Sequence, residues 1–187
     1  MAKHATLSAS SAERWLHCPP SARLNEKAAD FASEYAREGS EAHALCEFRL
    51  KLALGMETED PIQDLSMYSQ EMEDAAEQYV DRILEALEAV KKTTPDPAVL
   101  IEQRLDFSDY VPGGFGTADC VILADQALHL FDMKYGTGVL VDAHENPQLM
   151  LYALGCLQLF DGIYDFDEVR MTIIQPRRDN YSSFTMK

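Results

Sequence analysis

Three charged side chains, Asp119, Asp132 and Lys134, stand inside two otherwise apolar runs, Thr117–Leu123 and Leu128–Lys134. Runs rich in Val, Ile, Leu and Phe around a short polar break read as a β-hairpin. If Asp125 and Gln126 form a two-residue turn, Ala124 pairs with Ala127, and counting outward sets Asp119 opposite Asp132. Lys134, two residues beyond Asp132, then points to the same face. Like charges directly opposite in a ladder repel, and charges in an apolar sheet must be paired or bound to metal. A divalent cation between the two carboxylates relieves both problems. Hard cations take carboxylate and carbonyl oxygens, so Asp119, Asp132 and the Met133 carbonyl are suitable ligands for a hard divalent cation. Lys134 beside them could orient a water and stabilise negative charge on a phosphate.

These residues need strands below them and helices around them. Ser10-Ser-Ala-Glu13 has capping-box spacing and opens a short helix through Trp15 to Cys18, stopped by Pro19-Pro20. Residues 33–54 place Ala42, Leu45, Phe48 and Leu52 at helical spacing, with Gly55 as the stop. A long amphipathic helix follows, with Met72, Ala76, Tyr79, Ile83, Leu87 and Val90 on one stripe. Its acidic face, Glu71 to Glu88, reads as solvated. Pro95 and Pro97 switch the chain into strands: Val99 to Phe107, the hairpin, and Glu168 to Gln175. Between them Asn146 caps a helix from Pro147 to Phe160. The expected order is helices, three strands, helix, strand. That is an α/β (α+β) fold in which a short mixed central sheet is flanked by helices, with an N-terminal helical region.

A chain of 187 residues suffices for one well-cored domain, and 47% hydrophobic with 26% charged residues is ordinary for a globular protein. No apolar run approaches a membrane span, and the start has no signal-peptide core, so the expected setting is cytoplasmic, with no membrane partner. The four cysteines, Cys18, Cys46, Cys120 and Cys156, form no Cys-x-x-Cys pair, which argues against a zinc ribbon. A net charge of −16 opposes tight, non-specific nucleic-acid binding. Lys134, Arg170, Arg177 and Arg178, all in the second half, leave room for local contacts around a metal site.

Taken in order, Gly116-Thr-Ala-Asp119, Asp132-Met-Lys134 and Gln148-Leu-Met-Leu-Tyr152 resemble the RecB-like branch of the PD-(D/E)XK nuclease superfamily. Upstream, Gly39-Ser-Glu-Ala-His43 fits the helix motif of that branch, and Ser8-Ala-Ser10 with Trp15-Leu-His-Cys-Pro19 looks like its N-terminal motif. The longer strings Asp132–Gly138 and Asn146–Gly155 look like an uncharacterised phage and prophage subgroup. The resemblance implies a restriction-endonuclease-like core over 96–187 and an N-terminal helical region over 1–95 that contributes to the site, together one structural domain. It implies a core that stops short at its C-terminus, since relatives continue past the strand ending near Gln175.

Carried over by position, the resemblance makes His43, Asp119 and Asp132 metal ligands together with Met133, and Lys134 the catalytic lysine. Gln148 positions the lysine, the water or the substrate, and Tyr152 contacts the DNA backbone or braces the site. Glu102, on the preceding strand, lies near the cluster but matches no motif position. Cys18 stands where some relatives place the first ligand of an iron–sulfur cluster, but no closely spaced cysteines follow Cys156, so no cluster is expected.

The implied activity is a Mg²⁺- or Mn²⁺-dependent, exonuclease-like deoxyribonuclease acting in phage recombination or DNA processing. Water attacks the phosphodiester phosphorus and the 3′ oxygen leaves, giving a 5′ phosphate. Linear duplex or single-stranded DNA and phage recombination proteins are the implied partners. The rival expectation is a catalytically inactive module that keeps the fold for DNA or protein binding.

Overall fold

The computed structural model describes residues 5–27 and 33–187; His4 lies outside them. The first element among the described residues is a 3₁₀ turn at Ala9–Ser11, followed by helices α1 (Ala12–His17), α2 (Pro20–Lys27), α3 (Glu34–Ala53) and α4 (Gln70–Val90). Strands β1 (Ala98–Asp106), β2 (Phe115–Leu123) and β3 (Ala127–Met133) follow, then helix α5 (Pro147–Leu159) and strands β4 (Glu168–Gln175) and β5 (Asn180–Met186). The five strands lie in the order β1-β2-β3-β4-β5, all antiparallel neighbours except the parallel pair β3–β4 that α5 connects. The fold is therefore α/β: an N-terminal helical region, then a mixed five-stranded sheet packed against helices.

Two local expectations change. The Ser10–Glu13 capping box does not form: Ser11 is the cap of α1 and makes no side-chain cap bond. The Ser8 hydroxyl instead lies 2.8 Å from that of Ser11, and Trp15 Nε1 donates to the Ser8 carbonyl at 2.9 Å. The fifth strand was not foreseen either. Its sequence, Asn-Tyr-Ser-Ser-Phe-Thr-Met, is half-exposed and carries little apolar signal. It forms because Asp179 adopts a left-handed turn (φ 48°) that folds the chain back beside β4.

Both sheet faces are covered. Cys120, Ile122, Phe131, Met133 and Ile174 pack with Leu45, Phe48, Tyr79 and Ile83 of α3 and α4. Val121, Leu128, Leu130 and Ile173 pack with Leu149, Tyr152 and Cys156 of α5, with Ala9 from the N-terminal turn and with Ala12 of α1. Arg177, after β4, pairs with Glu38 at 3.2 Å and Glu71 at 2.8 Å and stacks over Tyr135, fastening the β4–β5 turn to α3 and α4. Arg170 pairs with Glu168 at 2.9 Å. Two of the basic residues that offset the acidic composition are thus occupied internally.

His129 lies on the face opposite Asp132, lining a cavity with Val90 and Thr94. Burial, reinforced by its ladder neighbour Arg170 and opposed by Glu168, holds its pKa down to about 4; Asp125, Asp167 and Lys187 line the same cavity. The unfolded chain therefore binds the proton first. The stability due to neutral His129 is complete above pH 6.5 and is lost as pH falls through about 4, a difference of about 3 kcal/mol. Urea unfolding at pH 7 and pH 4.5 should show a steeper loss for wild type than for His129→Phe, and equal slopes would refute this account.

Candidate metal centre

The hairpin register is the expected one. Ala124 N–H donates to the Ala127 carbonyl at 2.9 Å, and Cys120 pairs with Phe131. The ladder then stops one pair short of Asp119 and Asp132. Asp119 Oδ2 instead accepts the Met133 N–H at 2.6 Å, so the carboxylate itself takes up that strand's amide. Its Oδ1 faces His43 Nδ1 of α3 at 3.2 Å.

The residue that sequence reasoning left without a role is Glu102. Ligand atoms of His43, Glu102 and Asp119 all lie within 4.8 Å of one another, as a cation site requires. Glu102 reaches that position through an irregularity in β1: it has φ 51°, the left-handed region that non-glycine residues avoid. Ile101 pairs with Cys120 and Gln103 with Ala118, while Glu102 and the facing Asp119 drop out of the ladder. The pleat changes phase there on both strands. Val99 and Ile101 pack toward α3 and α4 but Leu105 toward α5; Cys120 and Ile122 pack toward α3 and α4 but Ala118 toward α5. Strict alternation would keep each set on one face. Because the register is the same on either side, no residue is inserted; the two strands share one kink, and both acidic residues sit at it. An acidic residue within the Val99–Leu105 run was the only sequence signal for this.

Asp132 belongs to a neighbouring arrangement. It is 1% exposed, with Oδ2 2.6 Å from Lys134 Nζ and Oδ1 accepting from Gln148 Nε2 at 2.7 Å. Gln148 Nε2 also donates to the Tyr152 hydroxyl at 3.1 Å, and its Oε1 accepts from Lys134 Nζ at 2.9 Å. Both donor hydrogens and the acceptor of the Gln148 amide are used, which fixes its orientation. Asn146 sets the helix that carries it, its Oδ1 accepting the N–H groups of Gln148 and Leu149. Tyr152 is buried, so it braces Gln148 from below. Gly116 makes room: a Cβ there would come within 2.7 Å of the Tyr152 ring and 3.4 Å of Ala9 Cβ. At Gly39 a Cβ would meet nothing within 4 Å, and no contact explains that glycine.

The predicted residues thus separate into two adjoining groups. His43 and Asp119 join Glu102, while Asp132, Lys134, Gln148 and Tyr152 form a hydrogen-bonded chain. Met133 joins the two groups through its N–H.

The electrostatics describe a site held together by opposite charges. Asp119 raises the His43 pKa to about 9 against the opposing effect of burial. Burial, then repulsion from Asp119, pushes Glu102 up to about 7. Burial favours the neutral form of Asp119, but the charge and hydrogen bond of His43, the Met133 N–H and the Lys134 charge together hold the carboxyl below its ordinary range. For Asp132, burial together with Asp119 raises the carboxyl against the pull of Lys134. Burial works against the Lys134 ammonium, yet Asp132 keeps it above its ordinary range. An imidazole and two carboxylates around one point form a candidate site for a divalent cation, which on binding there would displace the His43 proton. Cys46, Cys120 and Cys156 are free and buried and Cys18 is free and exposed, and no cysteine cluster is evident among the described residues.

No helix among the described residues is long and apolar enough to cross a membrane. A solved structure described as "Crystal structure of SSO0001" matches with 18% identity and a TM-score of 0.27, over 76% of this chain and 75% of that one. The pattern of the family described as "Protein of unknown function (DUF2800)" matches residues 4–187, and the chain belongs to that family.

Proposed function

We propose that this protein is a divalent-metal-dependent DNA nuclease, exonuclease-like, of the RecB-like branch of the PD-(D/E)XK superfamily, acting in phage recombination or DNA processing. The observation that carries the proposal is the adjacency of two groups: a His43–Glu102–Asp119 ligand set, and a lysine held charged by Asp132 and fixed by Gln148. A metal ion without such a lysine would fit many binding proteins; the combination fits hydrolysis of a phosphodiester. Asp132 and the Met133 carbonyl, ligands on the resemblance, stay in this reading as further oxygens toward the same ion.

A divalent cation at this centre supplies Lewis acidity for attack by water on phosphorus. Lys134 offers its ammonium to the negative charge that grows on the phosphate. Gln148 keeps that ammonium in place, and Tyr152 keeps Gln148 in place. Water supplies the new P–O bond and the 3′ oxygen takes a proton as it leaves, giving a 5′ phosphate.

The net charge of −16 favours one rival, a module that keeps the fold without catalysis. Incubation with linear duplex and single-stranded DNA, in Mg²⁺, in Mn²⁺ and in EDTA, separates the two. The expected result is metal-dependent release of products bearing 5′ phosphates, falling steeply with added salt. Intact DNA with Mn²⁺ bound to the protein would leave the silent module, and intact DNA with no metal bound would overturn the site assignment as well.

A further inference from the structure

Lys134 and Asn146 are joined by a loop that exposes two apolar side chains beside the candidate centre. Val139 is 80% exposed and Leu140 57% exposed. Both line a cavity of about 470 Å³ whose wall also includes Lys134 and Gln148. Such exposure on a mobile loop would be unremarked, but this loop is tied down along its length. Gln175, 1% exposed, donates to the carbonyls of Gly136 and Val139 at 2.8 and 2.9 Å and accepts the Val141 N–H at 3.2 Å. Asn180 donates to the Val141 carbonyl at 2.8 Å, and Arg178 to that of Thr137 at 3.0 Å. Ser182 accepts the Ala143 N–H at 2.9 Å and donates to Asp142 at 2.7 Å. Residues of the β4–β5 hairpin thus hold two apolar side chains in water.

We propose that Val139 and Leu140 form a preorganised contact for an unstacked nucleobase at the end of the DNA strand held in the centre. This inference rests on the nuclease reading. Three features select a base over a phosphate. The exposed contact atoms are hydrocarbon, which suits the face of a base. Carboxylates of Glu13, Asp142 and Glu145 share the cavity wall with Lys134 and repel a phosphate chain. The wall is continuous with Lys134 and Gln148, so a base in the cavity neighbours the phosphate that they serve. Because the loop is already ordered, binding does not have to order it first.

The test uses the full chain with 12-nucleotide single strands carrying 2-aminopurine at one terminus or the other, or at an internal position. Ca²⁺, which takes the same oxygen ligands, replaces Mg²⁺, and fluorescence reports binding. Wild type should change the signal of one terminal probe but not of the internal one. Val139→Ser/Leu140→Ser should weaken that response roughly tenfold or more, with Mn²⁺ calorimetry unchanged. Gln175→Ala should weaken it less. Equal affinity and equal terminal signal for wild type and the double variant would overturn the loop assignment while leaving cleavage by wild type to support the nuclease. A wild type that neither binds nor cleaves DNA would overturn the nuclease reading and this inference with it.

Discussion

Asp119→Asn is expected to abolish metal-dependent DNA cleavage and to weaken Mn²⁺ binding by more than about 100-fold, since even residues that only support metal ligands are worth about 10- to 100-fold. Asp119 shares the ligand set with His43 and Glu102 and is tied to the Asp132–Lys134 strand end through the Met133 amide. One oxygen accepts the Met133 N–H at 2.6 Å and the other faces His43 at 3.2 Å, and its carboxylate lies at the shared kink with Glu102. Asparagine can still accept the Met133 N–H, so the strand end keeps its partner. What goes is the charge. His43, whose pKa Asp119 holds at about 9, returns toward its ordinary value, and the cation loses an anionic ligand. His43 is partly exposed and can shed its proton, so unfolding free energy should change by no more than about 2 kcal/mol. Calorimetry with Mn²⁺ and a thermal melt on one sample decide the matter. Wild-type Mn²⁺ affinity in the variant would remove Asp119 from the centre, and undiminished cleavage would remove the centre from the reaction.

Glu102→Gly should separate stability from function in the opposite direction. Glu102 occupies φ 51° inside a strand and has its carboxyl raised by burial and by Asp119. A left-handed residue with a side chain costs about 1–2 kcal/mol, and the nearby like charge adds to this. Glycine takes that conformation freely but loses more chain entropy on folding, about 0.5–1 kcal/mol. The balance leaves the variant more stable by about 1 kcal/mol in the absence of metal, while Mn²⁺ affinity falls by about 10- to 100-fold. Glu102→Gln, which keeps the strain and removes the charge, should lose affinity and gain only the part of the stability that comes from removing the like charge beside Asp119. Urea unfolding in EDTA and Mn²⁺ calorimetry on the three proteins provide the comparison. A Glu102→Gly variant that is less stable, or that binds Mn²⁺ as wild type does, would contradict the idea that the kink exists to deliver a ligand.

Much of the centre was legible from residue order because it is local. The hairpin turn sets the register of β2 and β3, and helical periodicity puts Gln148 and Tyr152 on one face of α5. The Asp132–Lys134 pair follows from the period of a strand. Glu102 was not legible. Its only mark in the sequence is a charge in an apolar run, and period-two reasoning assumes the regular pleat that Glu102 breaks. The same assumption sets Asp119 directly opposite Asp132. In the folded protein, Asp119 turns to His43 and the Met133 amide, whereas Asp132 turns to Lys134 and Gln148.

The fifth strand was missed for a different reason. Its half-exposed residues carry little hydrophobic pattern, and it pairs because β4 offers an open edge and Asp179 turns the chain back. That strand matters to the site, since Asn180 and Ser182 hold the loop that carries Val139 and Leu140. By itself, the order of residues determined which elements form and which charged side chains must share a neighbourhood, because turns and periodicities act over a few residues. Only the tertiary structure decided how those charges are partnered. A carboxylate in a sheet takes whichever donor or cation the packed elements bring within about 3 Å, and here His43, Glu102 and Gln148 arrive from three different elements.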